Sequence, residues 1–212
     1  PEVGRAAVRI LEALGYHVNI VSQKRCCGRP LISKGQLGKA KTWAKHNVDT
    51  LVPYARQGIT IVGTEPSCLL TLRDEYPDLL RNEAASAVAD KALMLDELLT
   101  KLVGEDPSIS GIFRNDAIAN IQVHGHCHQK ALIGAEPTLD ALRTVPGYDV
   151  ELIDTGCCGM AGTFGVEAEH YEISRDIGAL KLFPAVESAD RKDWVVAVSG
   201  VSCRQQIGHF TS

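Results

Sequence analysis

The chain of 212 residues is 45% hydrophobic with a net charge of -4, enough apolar material for a sizeable core in one domain or two small ones. Its basic residues are dispersed and aromatic residues make up 5%. That excludes a nucleic-acid surface built on charge clusters or base stacking, and no segment reads as a signal peptide or as a membrane span of ~20 apolar residues.

Taken in chain order, the spacing predicts a helix over residues 3–14, closed by Gly15, and a strand over 17–21 that runs to Cys26-Cys27-Gly28. A glycine-containing loop, a long helix over 36–56 and a short strand over 60–63 follow, leading into Ser67-Cys68. Residues 83–103 read as one or two helices with Leu93, Leu95, Leu98, Leu99 and Leu102 on an apolar face, and 104–111 as a linker. A strand over 119–123 leads to His124-Gly125-His126-Cys127-His128. Next come a helix over 138–144 ending at Pro146-Gly147, a strand over 149–153 and Cys157-Cys158-Gly159. A helix over 166–188 and a strand over 194–199 close the pattern at Ser202-Cys203.

Helix, strand, Cys-Cys-Gly, helix, strand, Ser-Cys thus occurs twice. Alternating helices and β-branched strands predict an α/β chain of two pseudo-repeated Rossmann-like modules, each a short parallel sheet flanked by helices. The expected domains are a first module over 1–82, a helical connector over 83–111 and a second module over 112–212. The second copy has an opening strand that the first lacks, so the sequence reads as starting one strand late, with a ligand position lost along with that strand.

The seven cysteines carry the chemistry. A disulfide between neighbours closes a strained ring, and an odd number with two adjacent pairs does not suit a secreted framework. They read as thiolate ligands in a reducing compartment. Cys127, Cys157, Cys158 and Cys203 supply four thiols, the usual number for a [4Fe–4S] cluster. Cys26, Cys27 and Cys68 supply three as a partial first site. All sit after strands, where an open parallel sheet collects its ligands. Gly28, Gly156, Gly159 and Gly162 would let the backbone approach a bulky cluster. Zinc is the rival, since Cys and His are its ligands, and His126 and His128 beside Cys127 are candidate donors, with His124 nearby. Buried apolar filler is the plain alternative for a single cysteine. The loop over 156–165 lacks the G-x-G-x-x-G spacing of a dinucleotide site. Arg73 and Arg204 either offset the charge of a thiolate-ligated cluster or serve the surface. Glu65, Asp74 and Glu75 read as a cap and a solvated helix face.

These residues resemble the CCG cysteine-rich domain family, whose pattern is a cysteine, a later Cys-Cys-Gly and a closing Cys-x-x-Cys. The family includes the B subunit of heterodisulfide reductase and the iron–sulfur subunits of glycolate oxidase, lactate-utilisation and anaerobic glycerol-3-phosphate dehydrogenase systems. Ser67-Cys68 and Ser202-Cys203 offer one cysteine in place of the closing pair, which favours an ordinary cubane over the non-cubane cluster of heterodisulfide reductase. Glu65-Pro66-Ser67-Cys68, the 124–130 run and the 154–162 run look like the C-terminal region of FAD-linked 2-hydroxy-acid oxidase and dehydrogenase fusions. The resemblance implies an iron–sulfur electron-transfer module of a flavin-dependent enzyme that oxidises D-lactate, glycolate or D-2-hydroxyglutarate. FAD would sit elsewhere in the full-length protein. Partners would be FAD-binding and ferredoxin-like domains and a quinone or other acceptor, in the cytoplasm or at the inner face of the membrane. The alternatives are a zinc-binding or structural docking module and a thiol–disulfide redox domain.

Overall fold

A computed structural model describes residues 2–113, 119–188 and 194–211. The chain separates into two compact units, residues 1–112 and 113–212.

The first unit opens with α1 (Glu2–Ala13), α2 (Arg29–Ser33) and the long α3 (Leu37–Arg56). Strand β1 (Ile61–Gly63) leads to α4 (Pro66–Arg73), α5 (Glu75–Leu80) and α6 (Glu83–Ala89); β2 (Ala92–Met94), α7 (Leu95–Glu105) and a 3-10 turn at Pro107–Ile112 complete it. Ala44, Val48, Leu51 and Ala55 recur at helical spacing along α3 and pack with Tyr76, Ala85 and Val88 as one core. That stripe is what makes α3 a helix with a buried side. Side chains start the next helices: Glu65 accepts the Ser67 N–H at 3.2 Å, and Asn82 accepts the Ala85 N–H at 2.9 Å. Each supplies one of the acceptors that the first turn of a helix lacks.

Two expectations fail in this unit. Residues 17–21 form no strand, and Ile20 is 76% exposed. A strand exists through its ladder partner, and among the described residues none is offered. The stretch expected to be a helical connector is instead built into the unit, with β2 pairing in parallel with β1 from Ile61↔Ala92 to Gly63↔Met94. Three residues are too few to separate from the leucine run that continues into α7.

The second unit holds β3 (Ala119–His124), α8 (Cys127–Leu132), α9 (Glu136–Arg143) and β4 (Tyr148–Leu152). It ends with α10 (Tyr171–Glu187), β5 (Trp194–Val198) and α11 (Val201–Phe210). The strands form one parallel sheet in the order β4-β3-β5. Ile121, Val123, Leu139 and Val150 fill the space between the sheet and α9. A second cluster of Cys158, Met160, Leu182, Phe183 and Cys203 packs where α10 and α11 meet. The α/β reading therefore holds, with two small parallel sheets flanked by helices. The helix expected from residue 166 begins at Tyr171, after 3-10 turns at Phe164–Val166 and Ala168–His170. Phe164 stacks on His170 with ring centroids 4.0 Å apart, which holds those turns folded back ahead of the helix.

Candidate metal centre

Because β3, β4 and β5 run parallel, their carboxyl ends share one edge, and each delivers cysteine there. Cys127 opens α8 after β3, Cys157 and Cys158 lie in the loop after β4, and Cys203 lies in the first turn of α11 after β5. Cys158 and Cys203 are buried, Cys157 is half-buried and Cys127 is exposed. All are free thiols. Thiol contacts run from Cys127 to Cys157, from Cys157 to Cys158 and from Cys158 to Cys203, and Cys127 also feels the charge of Cys203. The four sulfurs thus form a continuous set.

Their protons divide unequally. The Cys127 thiol beside Cys157 holds Cys157 well below the ordinary thiol range, with Cys158 adding to the effect. Cys158 likewise lowers Cys203, and the His124 ring assists. The two donors move the other way: Cys127 is pushed up by Cys157, and Cys158 by Cys157 and Cys203. A cluster of thiols that alternates donors and thiolates crowds negative charge at a strand edge. A bound cation would relieve that charge and displace the remaining protons. The donor set therefore suits a metal or iron–sulfur centre.

Backbone amides reinforce it. Gly159 lies in the left-handed region at φ 91 and its N–H donates to the Cys157 sulfur at 3.3 Å. No side chain fits there, because a Cβ on Gly159 would lie 2.0 Å from the Ser174 carbonyl oxygen. The Met160 amide similarly favours thiolate at Cys158.

The three nearby histidines of the 124–128 run take different places. His124 is 1% exposed. Its Nδ1 bonds the Thr155 hydroxyl at 2.5 Å, while its buried Nε2 lacks, among the described residues, a partner of hydrogen-bond geometry. The ring nonetheless acts electrostatically on both Cys157 and Cys203, so the orphaned nitrogen belongs to a ring beside the thiols. His126 caps α8, its Nδ1 accepting the His128 N–H at 3.2 Å. Its ring packs so closely on Gly200 that a Cβ there would meet it at 2.3 Å. That nitrogen of His126 is engaged in capping, and His128 follows as a half-buried member of the same helix.

In the first unit Cys26 and Cys27 precede α2, and Cys68 sits in the first turn of α4 after β1. Cys27 donates to Cys68, which raises the first thiol and lowers the second. The loop is held by side chains. Asn47 of α3 accepts the Arg25 N–H at 2.7 Å and donates to the Cys26 carbonyl at 3.2 Å and the Tyr76 hydroxyl at 2.8 Å. Tyr76 passes the bond on, donating to the Cys27 carbonyl at 2.8 Å. Arg73, a candidate for offsetting cluster charge, instead grips Glu97 with two bonds at 2.7 and 3.0 Å.

Asn47, Tyr76, His124, Thr155, Ser174 and Gln206 are buried polar groups that motif reading passed over or left unassigned. Their signal was present in part: Asn47 interrupts the apolar stripe of α3, and a polar residue on a buried helix face implies a bound partner.

The molecule is thus a tandem α/β protein that gathers free thiols where parallel strands end. The chain belongs to the CCG cysteine-rich domain family, whose model matches residues 1–73 and 121–208. It is 31% identical over 213 residues to the C subunit of the anaerobic glycerol-3-phosphate dehydrogenase of Escherichia coli (strain K12), covering 100% of this chain and 52% of that protein. It is 31% identical over 203 residues to D-2-hydroxyglutarate dehydrogenase of the same organism, covering 94% of this chain and 19% of that protein. Lactate utilization protein A of Exiguobacterium sp. (strain ATCC BAA-1283 / AT1b) is 31% identical over 179 residues, covering 79% of this chain and 68% of that protein. The chain thus spans about half the length of the glycerol-3-phosphate relative.

Proposed function

We propose that the second unit holds a [4Fe–4S] cluster on Cys127, Cys157, Cys158 and Cys203 and serves as an electron-transfer module of a larger flavin-linked oxidoreductase. The observation that carries this reading is the convergence of four free thiols from three strand ends, the donor number that such a cluster needs. When bound, the cluster supplies one-electron chemistry. The chain's own residues ligate it, exclude water on the Cys158 and Cys203 side, and donate the Gly159 N–H to sulfur, which sets the potential.

The names of two relatives, a D-2-hydroxyglutarate dehydrogenase and a lactate utilization protein, support a substrate of the 2-hydroxy-acid type, and the glycerol-3-phosphate of the third shares with it only an oxidisable secondary hydroxyl. That substrate would be oxidised on FAD in another domain or subunit. Electrons would reach this module through ferredoxin-like clusters and leave to a quinone or another acceptor. Among the described residues no helix is long and apolar enough to cross a membrane, and free thiols suit the reducing cytoplasm. Cys26, Cys27 and Cys68 form the partial site of the first unit.

The test is anaerobic purification, with iron and acid-labile sulfide measured and EPR recorded before and after reduction. Iron and sulfide in a ratio near unity with a reducible EPR signal are expected. Stoichiometric zinc, with no iron after anaerobic reconstitution, would overturn this reading in favour of a structural or docking module.

A further inference from the structure

We infer that Ser174 and Gln206 are positioning residues for the metal centre of the second unit, fixing through Gly159 the backbone N–H that donates to the Cys157 sulfur. The inference rests on the iron–sulfur reading for its redox consequence, but its geometry stands without it.

The bonds run in one direction. Gln206 Nε2 donates to Ser174 Oγ at 2.9 Å and to the Ser174 carbonyl at 3.4 Å. With an N–H already directed at its oxygen, the serine hydroxyl gives its single proton to the Gly159 carbonyl at 2.9 Å. Gly159 in turn presents its N–H to Cys157. Ser174 is 1% exposed and Gln206 4%, so water does not compete for these bonds.

The packing allows no slack. A Cβ on Gly159 would strike the Ser174 carbonyl oxygen, and one on Gly165 would lie 2.3 Å from Ser174 Oγ. The serine is therefore pressed from both sides by backbone that carries no side chain. Gln206 follows Cys203 by three residues on α11, so residues i and i+3 of one helix face serve the same centre. One is a thiol of the set, and the other reaches back through α10 to the loop that carries two more. A buried polar chain of this kind is costly unless fully satisfied, and apolar side chains could fill such a space. What the polar chain adds is a fixed orientation for the Gly159–Met160 peptide group, whose N–H favours thiolate at Cys158, and, across the tightly packed Gly159 Cα, for the neighbouring N–H that donates to Cys157.

That orientation has a direct chemical effect. An N–H donated to a thiolate sulfur favours the more negative, reduced state of a cluster, and so raises its potential. Loosening the clamp lowers the potential without removing a ligand.

The experiment compares the full chain carrying Ser174→Ala or Gln206→Met with the parent, after anaerobic reconstitution. Iron content, the EPR-monitored reduction potential and hydrogen–deuterium exchange over residues 157–162 are recorded, exchange also in iron-free protein. Unchanged iron, a potential shifted to more negative values and several-fold faster exchange confined to the loop are expected. Gln206→Met keeps length and bulk while deleting the donor, and decides the matter should Ser174→Ala not fold. An unchanged potential in an iron-loaded variant, or loop exchange like the parent's in iron-free protein, overturns the inference. A parent that takes up no iron sinks the cluster reading instead, and the iron-free exchange comparison then decides the clamp by itself.

Discussion

Both units bring a Cys-Cys-Gly to a loop that precedes a helix, yet they secure it by different means. In the first unit the loop carbonyls are held at arm's length by side chains, with Asn47 reaching Cys26 and Tyr76 reaching Cys27. In the second a side chain likewise holds a loop carbonyl, Ser174 Oγ to Gly159, but the loop also lies directly on helix backbone, with no room for a methyl group on Gly159. The motif glycines show the contrast best. Both are left-handed, at φ 87 for Gly28 and φ 91 for Gly159, but a Cβ on Gly28 would find its nearest neighbour at 3.9 Å. The same three letters therefore mark a conformational need in one unit and a conformational need plus a steric one in the other. Amide donation to sulfur is common to both: the Arg29 amide favours thiolate at Cys27, as the Gly159 amide does at Cys157.

The largest expected effect separates the units by metal content. Cys158→Ser removes a buried donor that touches two other thiols, and iron bound by the second unit should fall to background. Cys27→Ser should leave that iron in place. Iron analysis with EPR of both variants reads this, and equal loss in the two would show that the centres are not separate.

Next come the glycines. Gly159→Ala should cost more than ~3 kcal/mol, because backbone must move in addition to the left-handed strain. Gly28→Ala should cost only about 1 kcal/mol, the strain alone. Each unit has one tryptophan, Trp43 in α3 and Trp194 in β5, so urea unfolding in single-tryptophan variants reports each unit separately. Equal costs would mean that the two glycines meet the same constraint.

The first unit's clamp should yield a graded pair. Asn47→Leu strands the Arg25 amide and buried carbonyls, for a loss of about 2 kcal/mol in the Trp43 transition. Tyr76→Phe deletes the hydroxyl that accepts from Asn47 and donates to Cys27 and, since Asn47 keeps its other partners, should cost about 1 kcal/mol. Both should leave the Trp194 transition unchanged.

The smallest effect concerns Asp154, which Lys181 holds below the ordinary carboxylate range. A lowered folded-state value means that any stabilisation is present above the usual carboxylate range and is lost as acid protonates the group. The pair is exposed, so Asp154→Asn should leave the melting temperature nearly unchanged at neutral pH, with even that difference vanishing in acid. A large drop at neutral pH would show that this ion pair, and not the Gly159 packing, anchors the loop.

Much of this was legible from residue order. The long stripe of α3, the strands of the second unit and the thiols after them follow from periodicity and position, and each appears within a few residues of its expected place. Two kinds of feature were hidden. Pairing was one: residues 17–21 look like a strand and form none, whereas Ala92–Met94 sits in a leucine-rich run and pairs with β1. Strand identity depends on a partner that local composition does not name. The other was the second tier of the site. Ser174 and Gln206 are ordinary polar letters in their helices, and only the close approach of α10 and α11 turns them into a clamp.

By itself, then, the sequence determined that this is a duplicated α/β chain whose cysteines recur at matching places, because thiol spacing and alternating periodicity are local properties. The tertiary structure decided which groups share the site. It put His124 beside the thiols, gave His126 to a helix cap and Arg73 to Glu97, and set Gly159 against Ser174. Those outcomes depend on how separate elements pack at ångström range, and no short stretch of residues encodes that.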